Sequence, residues 1–285
     1  MTCSRYILAF LWIFSSSFCR GTLASLQEPT CKDAKVPPEM SCIPGGTFIR
    51  GSNLLVKKLD TGKLVRDEAP PAKIYVSAFL MDKKEVSLKE FQECQKAGKC
   101  RKSARPNYLW ARRNPNGPML GVSWYDAQDY CHYRGKRLPT EAEWEKAARG
   151  PNGDMYPWGN EKPTCKLAII KENGKRGCGT GITHDVGARG PFRYGLYDMA
   201  GNAHEWVADW YSESYEKCGK ACFKKNPKGP CDGKEPCPGY HEKVVKGGSW
   251  YWEWDKARAS WRRPHDPHNS PRYHHFGFRC AKDIQ

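Results

Sequence analysis

The side chains best suited to chemistry in this sequence lie between Gly195 and Trp206, in the run Gly-Leu-Tyr-Asp-Met-Ala-Gly-Asn-Ala-His-Glu-Trp. Asp198 and Glu205 place two carboxylates in one short, turn-rich segment that also contains glycines. Carboxylate and carbonyl oxygens that converge from a tight loop are the ligands that Ca²⁺ requires. The run therefore predicts a structural calcium site. The alternative is that Asp198 and Glu205 only cap or pair with basic neighbours.

The C-terminal part of the chain holds weaker candidates. Ser249 is a hydroxyl without a partnered base, which is more typical of a turn residue than of a catalytic nucleophile. His265 and His268 flank Asp266, and imidazoles beside a carboxylate can hold Fe(II) or another redox metal. The alternative for these histidines is a surface loop rich in His, Arg and Pro.

An aromatic and basic run follows Ser249. Trp250, Trp252, Arg262 and Arg263 are candidate substrate-binding residues, because aromatic faces and guanidinium groups supply contact area and charge to a bound chain. The alternative is packing in the core, which is the usual place for at least half of such rings.

Three helices are predicted from their N-terminal signals. Ser87 and Glu90 are spaced as a capping box, and so are Thr140 and Glu143. Ser123 can cap a further helix that runs to about residue 133.

Strands are predicted at residues 43–52, as strand, turn and strand, and at residues 73–80, which alternate like one strand. Twenty-seven glycines and twenty-one prolines favour a loop-rich chain without long helices. The predicted fold class is α+β with low regular secondary structure. It forms one domain at residues 40–285, after a polar lead-in at residues 25–39.

The first residues resemble a secretory signal peptide, residues 1–24. Arg5 is followed by an apolar run, Tyr6 to Phe14, that is too short to span a bilayer, and Ala24 offers a cleavage point. Cys19 would suit a lipoprotein, but such signals usually place a small residue before the cysteine, and Phe18 is bulky. Lipidation is therefore not the preferred interpretation. We therefore expect an exported protein that is periplasmic, held in the envelope or secreted, without a transmembrane segment.

The cysteines agree with export. The chain has fourteen, and twelve remain after the predicted signal; an even number in an exported chain indicates disulfides. Cys94 and Cys100 frame a short loop and are predicted to pair. The pairing is open within the cluster formed by Cys218, Cys222, Cys231 and Cys237.

The formal net charge of +16 invites a nucleic-acid interpretation. The lysines are scattered over loops, however, and no nucleic-acid-reading motif accompanies them. An exported peptide, protein or glycan partner in an anionic cell envelope is the preferred interpretation.

A series of short motifs occurs in a fixed order along the chain. They are Ile43-Pro44-Gly45-Gly46-Thr47-Phe48, Glu85-Val86-Ser87, Val122-Ser123-Trp124, Gly135 to Glu145, Pro157-Trp158-Gly159, Gly195 to Trp206, Gly247-Gly248-Ser249-Trp250 and Gly277-Phe278-Arg279-Cys280. Taken together, these motifs resemble the formylglycine-generating enzyme (sulfatase-modifying factor) family over residues 40–281. The resemblance implies a variant of the C-type-lectin-like fold.

The resemblance implies roles for particular residues. It assigns calcium to the side chains of Asp198 and Glu205 and to the backbone carbonyls of Gly201 and Ala203. It also implies a disulfide, which joins Cys131 to Cys280.

One departure from the family decides the functional expectation. The family's formylglycine synthases have two cysteines after Gly-Gly-Ser, which bind Cu(I), and soft thiolates are the ligands that Cu(I) prefers. Trp252 and, approximately, Ala257 stand at those places. We therefore expect a calcium-braced binding protein and no Cu(I). The alternative is an oxygen-dependent oxidoreductase of sulfatase-modifying or pyoverdine-maturation type with a different metal site.

Overall fold

The computed structural model describes residues 28–32, 34–59, 61–270 and 275–284. The predicted signal peptide, residues 1–24, lies outside the described residues, as do residues 25–27 of the lead-in. Within the described part of the chain, no helix is long and apolar enough to cross a membrane.

Regular structure is short throughout. The strands are β1 Met40–Ile43, β2 Gly46–Arg50, β3 Val56–Lys57, β4 Leu64–Val65, β5 Ala72–Val76, β6 Phe79–Asp82, β7 His204–Trp210, β8 Lys243–Lys246, β9 Arg263–His265, β10 Phe276–Gly277 and β11 Ala281–Asp283. The helices are α1 Leu88–Lys96, α2 Leu109–Arg113, α3 Trp124–Tyr133, α4 Glu141–Arg149, α5 Tyr215–Cys218 and α6 Lys220–Phe223.

The three predicted helix starts are confirmed. Ser87, Ser123 and Thr140 are the N-caps of α1, α3 and α4, and each side chain accepts a hydrogen bond from the backbone N–H three residues ahead. In each case the third helical residue is acidic and its carboxylate accepts from the N-cap N–H. These capping boxes form within four residues, which is why they could be recognised from sequence.

The strands form four small sheets. The largest has the order β10-β7-β8-β9, in which β10 runs parallel to β7 and the other pairs are antiparallel. The sheet β1-β6-β11 joins the two ends of the domain, and β2-β5 and β3-β4 form hairpin-like pairs. The mixture of short helices and sheets is α+β, as expected.

Two parts of the secondary-structure prediction need correction. Residues 73–80 do not form one strand, because the chain leaves β5 after Val76 and starts β6 at Phe79, in a different sheet. The run expected to be rich in turns does not end in a turn, because His204 starts β7, a nearly fully buried strand of the largest sheet. A strand buried on both faces lacks the alternation that marks a half-buried one.

Helix α4 is the centre of the fold, and all nine of its residues are buried. Its Glu145 carboxylate accepts from the Gly51 N–H at 2.7 Å, from Arg149 at 2.8 Å and from Lys246 at 3.2 Å. Burial alone would raise the pKa of Glu145, but Lys246 and Arg149 lower it to about 2. The helix therefore ties the residue after β2 to β8 through one buried carboxylate.

Six disulfides link the described cysteines. The predicted pairs Cys94–Cys100 and Cys131–Cys280 are both present. The cluster whose pairing was open forms two local bridges, and two further pairs complete the set: Cys218–Cys222, Cys231–Cys237, Cys31–Cys42 and Cys165–Cys178. This density is typical of proteins from oxidising compartments.

A buried acid makes stability pH-dependent. Asp209 accepts a hydrogen bond from the Glu141 N–H at 2.8 Å, and burial together with the Glu141 carboxylate raises its pKa to about 7. The folded protein then holds a proton that the unfolded chain releases at lower pH. Stability should fall as pH rises from about 4 to about 7, by at most about 1.4 kcal/mol per pH unit from this group. Asp209→Asn keeps the acceptor and should flatten that slope in urea unfolding; an unchanged slope would contradict the assignment.

Candidate functional site

The segment that follows β8 carries the predicted site residues. Gly248 has a φ of +71°, and a Cβ on it would lie 2.7 Å from the Lys256 carbonyl oxygen and 2.8 Å from the Ala257 Cα. The loop can close on itself only because residue 248 has no side chain. Residues 252 and 257 both belong to this closed loop.

Both of those residues are part of the packing. The Trp252 ring is half-buried, with its centroid 5.1 Å from that of Tyr251 and 6.3 Å from that of His275. Ala257 is fully buried among Ala168, Ile170 and Ala200. Indole and methyl groups therefore fill the positions at which the family resemblance expects thiols.

Trp250 lies in an aromatic wall that also includes helix α2. Its ring is 3% exposed and meets Trp110 edge-on at 5.6 Å, while Tyr108 stacks on Trp110 at 5.4 Å. Trp250 therefore acts mainly in core packing, the alternative considered for these rings. The Arg176 guanidinium lies 3.6 Å above the Tyr251 ring and adds positive charge beside the wall.

The two arginines of the predicted substrate-binding set are both buried. Arg262 is buried; it pairs with the Glu141 carboxylate at 2.6 Å and donates to the Asp67 and Ser212 carbonyls. This arginine holds the fold together and presents no surface to a substrate. Arg263 is also buried, with its guanidinium over the Phe276 ring.

Ser249 and the two candidate redox-metal histidines are not brought together as a catalytic group. The buried Ser249 hydroxyl accepts from the Tyr251 N–H at 3.4 Å, the geometry of a turn. His265 is buried and bonds Asn269, whereas His268 lies against the Tyr125 ring. The two imidazoles thus belong to different local contacts.

The predicted calcium ligands lie in a cluster of buried charges. The Asp198 carboxylate accepts from three consecutive backbone N–H groups, those of residues 187–189. The Glu205 carboxylate accepts two hydrogen bonds from the Arg279 guanidinium, at 2.7 and 2.8 Å, and one from the Trp144 indole at 2.7 Å. These contacts are the ones expected if Asp198 and Glu205 only cap or pair with basic neighbours. They leave some lone pairs of the carboxylate oxygens unused.

Glu85 is a member of this cluster that sequence reasoning missed. It is buried and accepts from Asn202 and from the Ala203 N–H. Burial and the nearby carboxylates of Asp198 and Glu205 raise its pKa well above the usual range. Burial raises the pKa of Asp198 to about 6, against its backbone donors.

Two of these carboxylates keep oxygen atoms with unused hydrogen-bonding capacity. One oxygen of Asp198 accepts a single hydrogen bond, from the Arg189 N–H, and one oxygen of Glu205 accepts only from Arg279. A carboxylate oxygen has two lone pairs, so each retains one. Three buried carboxylates also face one guanidinium, an imbalance that favours a bound cation.

Backbone oxygens would have to complete such a site. In the described part of the chain, no three His, Cys, Asp or Glu side chains are grouped closely enough to hold a metal ion. The predicted set of two carboxylates with the Gly201 and Ala203 carbonyls respects this limit. Gly201 has a φ of +81°, and a Cβ there would lie 2.4 Å from the Ile169 carbonyl oxygen, so the turn requires glycine.

Comparison with known proteins places this architecture in a family. The chain matches the sulfatase-modifying factor enzyme 1-like domain over residues 26–284. It is 31% identical over 316 aligned positions to formylglycine-generating enzyme of Thermomonospora curvata, covering 90% of this chain and 97% of the relative. The chain belongs to the sulfatase-modifying factor family.

Two further similarities bear on fold and function. The chain is 28% identical over 298 positions to inactive C-alpha-formylglycine-generating enzyme 2 of Mus musculus, covering 86% of this chain and 85% of the relative. The structure of PvdO from Pseudomonas aeruginosa superposes with a TM-score of 0.65 at 26% identity, covering 90% of this chain and 98% of PvdO. The fold is the family's variant of the C-type-lectin-like fold.

Proposed function

We propose that this protein is an exported member of the family that binds a peptide or another envelope partner and does not make formylglycine through copper. The observation that carries the proposal is the state of its sulfur atoms. All twelve cysteines of the described residues are paired in six disulfides. Trp252 and Ala257 have no sulfur to offer.

The chemistry of copper explains why this matters. Cu(I) is stabilised by thiolate ligands, and a disulfide sulfur is not a thiolate. Thiolate ligands at this site would require cysteines at positions 252 and 257. The likeness to a mouse relative named as inactive is consistent with a family member that has kept the fold without this reaction.

A binding role is supported by rings and cations near Trp252. Arg176 is exposed above Tyr251, and the Lys162 ammonium lies 4.8 Å from the centroid of the exposed Trp254 ring. Aromatic faces give contact area, and cations attract an anionic chain. An anionic or polar peptide from the envelope fits this surface.

Two measurements test the proposal. A cysteine-containing sulfatase peptide should not be converted to its formylglycine form on incubation with the protein, copper and oxygen, as followed by mass spectrometry. The matched control is the double variant Trp252→Cys, Ala257→Cys, which should gain tight binding of Cu(I) under reducing, anaerobic conditions. Peptide conversion by the unaltered chain would contradict the proposal.

A second candidate is an oxygen-dependent oxidoreductase with a different metal site, and the likeness to PvdO favours it. Elemental analysis of the protein from its native compartment separates the two candidates. A redox metal near one per chain would favour the oxidoreductase. Absence of a redox metal from a protein that binds an envelope peptide would favour the binding protein.

The scaffold is proposed to be braced by Ca²⁺ at Asp198, Gly201, Ala203 and Glu205. Chelation should lower the thermal midpoint, because a ligand at about 100 times its Kd adds about 2.7 kcal/mol to the free energy of unfolding. Asp198→Asn keeps an oxygen for the backbone donors but removes charge, so chelation should affect it much less. Equal midpoints of the unaltered protein with calcium and with chelator would contradict the calcium assignment.

A further inference from the structure

The β3–β4 hairpin, taken with its flanking residues as residues 53–66, exposes apolar side chains that the candidate site does not use. Leu64 is 63% exposed, Leu55 52% and Leu54 44%, which places three of the four most exposed large apolar side chains of the described residues on this one hairpin. The remaining member of these four is Leu109, in α2, which is 57% exposed. Contiguous exposed leucines are uncommon on a protein surface and indicate an interaction.

The register of the hairpin explains why these leucines face outward. Val56 pairs with Val65, and Lys57 pairs with Leu64. Val56 is buried, so the alternation of a strand directs the neighbouring Leu55 and Lys57 to the opposite face. Lys58, on the buried side, donates a hydrogen bond to the Tyr211 hydroxyl and anchors the hairpin to the domain.

The charge of the hairpin is complementary to an anionic surface. Residues 53–66 contain four basic residues and one acidic residue. Lys57, Lys63 and Arg66 are exposed, and the Arg66 guanidinium donates to the Asn53 carbonyl at 2.7 Å. Leu55, Leu64 and Lys57 thus share the outward face of the hairpin. Leu54, Lys63 and Arg66 are exposed beside it.

We propose that this hairpin docks the protein on an anionic phospholipid surface. Leu54, Leu55 and Leu64 would enter the boundary between headgroups and acyl chains, as apolar residues of interfacial elements do. Lys57, Lys63 and Arg66 would then lie at the level of the lipid phosphates, where cations are attracted to anionic lipids. The interaction is peripheral.

The test uses the full mature chain and sedimentation with vesicles of phosphatidylcholine, alone or with roughly one third phosphatidylglycerol. The unaltered protein should bind the anionic vesicles and lose affinity as salt rises from about 50 to about 500 mM. Replacing Lys57 and Lys63 with Gln should weaken binding roughly fivefold per removed charge. Leu54→Ser, Leu55→Ser and Leu64→Ser together should weaken it by more than about tenfold.

The matched control is Leu109→Ser, which removes an equally exposed leucine elsewhere and should leave vesicle binding unchanged. A second readout needs no variant: anionic vesicles should protect the bonds after Lys57 and Lys63 from trypsin. The proposal is overturned if the leucine variant binds as well as the unaltered protein, if Leu109→Ser weakens binding equally, or if vesicles give no protection. Binding to a protein partner that requires these leucines, without vesicle binding, would also overturn it.

Discussion

Replacing Cys131 and Cys280 with alanine is expected to cause the largest loss of stability of any change considered for this protein. The bridge closes a sequence separation of 149 residues, and the chain-entropy relation gives about 5 kcal/mol for a loop of that length. Both cysteines are fully buried. Alanine is chosen instead of serine, because a serine hydroxyl there would be buried without a hydrogen-bond partner. Urea unfolding of the oxidised protein and of the variant measures the difference.

The matched control is the double alanine variant of Cys94 and Cys100, whose separation is only six residues. The same relation gives about 2 kcal/mol for so short a loop. Similar losses in the two variants would show that loop length does not govern the effect.

Replacing Arg279 with methionine is expected to cost about 3 to 5 kcal/mol at neutral pH, because it leaves buried carboxylates without their guanidinium. Arg279 donates twice to Glu205, and it is also close enough to Glu85 and Asp198 to interact with both charges. Chemical unfolding with and without calcium measures the loss, since a bound cation would compensate part of it.

The pH dependence of this variant gives a second readout. Without Arg279 the raised pKa values of Glu85 and Asp198 rise further, so the folded state binds more protons than the unfolded chain at mildly acidic pH. Stability then falls as pH rises, and the penalty should be smaller at about pH 5 than at about pH 8. A penalty independent of pH would contradict an electrostatic cause.

An exposed ion pair serves as the control. Lys217 pairs with Glu213, and the two side chains are 67% and 72% exposed. Lys217→Met should leave the free energy of unfolding nearly unchanged, because solvent screens such a pair. A loss as large as that of the Arg279 variant would show that burial is not what distinguishes the two pairs.

The sequence could predict features whose causes lie within a few residues. The capping boxes at Ser87 and Thr140 depend on a side chain three residues ahead, and the Cys94–Cys100 bridge spans one short loop. The Cys131–Cys280 bridge was also expected, but only through the family resemblance, because nothing local links two such distant cysteines.

Roles that depend on distant contacts could not be predicted in this way. Arg262 belongs to a run rich in aromatic and basic residues, yet it is buried against Glu141. Glu85 was recognised as part of a motif, but its place beside Asp198 follows from chain folding over more than a hundred residues. The charges of Arg262 and Glu85 did not by themselves indicate where in the fold either side chain lies.

The sequence by itself determined the family, the helix starts, the expectation of disulfides and the lack of thiols at positions 252 and 257, because each is written in residue identity or short spacing. Only the tertiary structure decided which charges are buried together and which face of the β3–β4 hairpin meets solvent. Burial and pairing depend on segments that are far apart in the chain, and the energy of a charge or a leucine depends on what surrounds it.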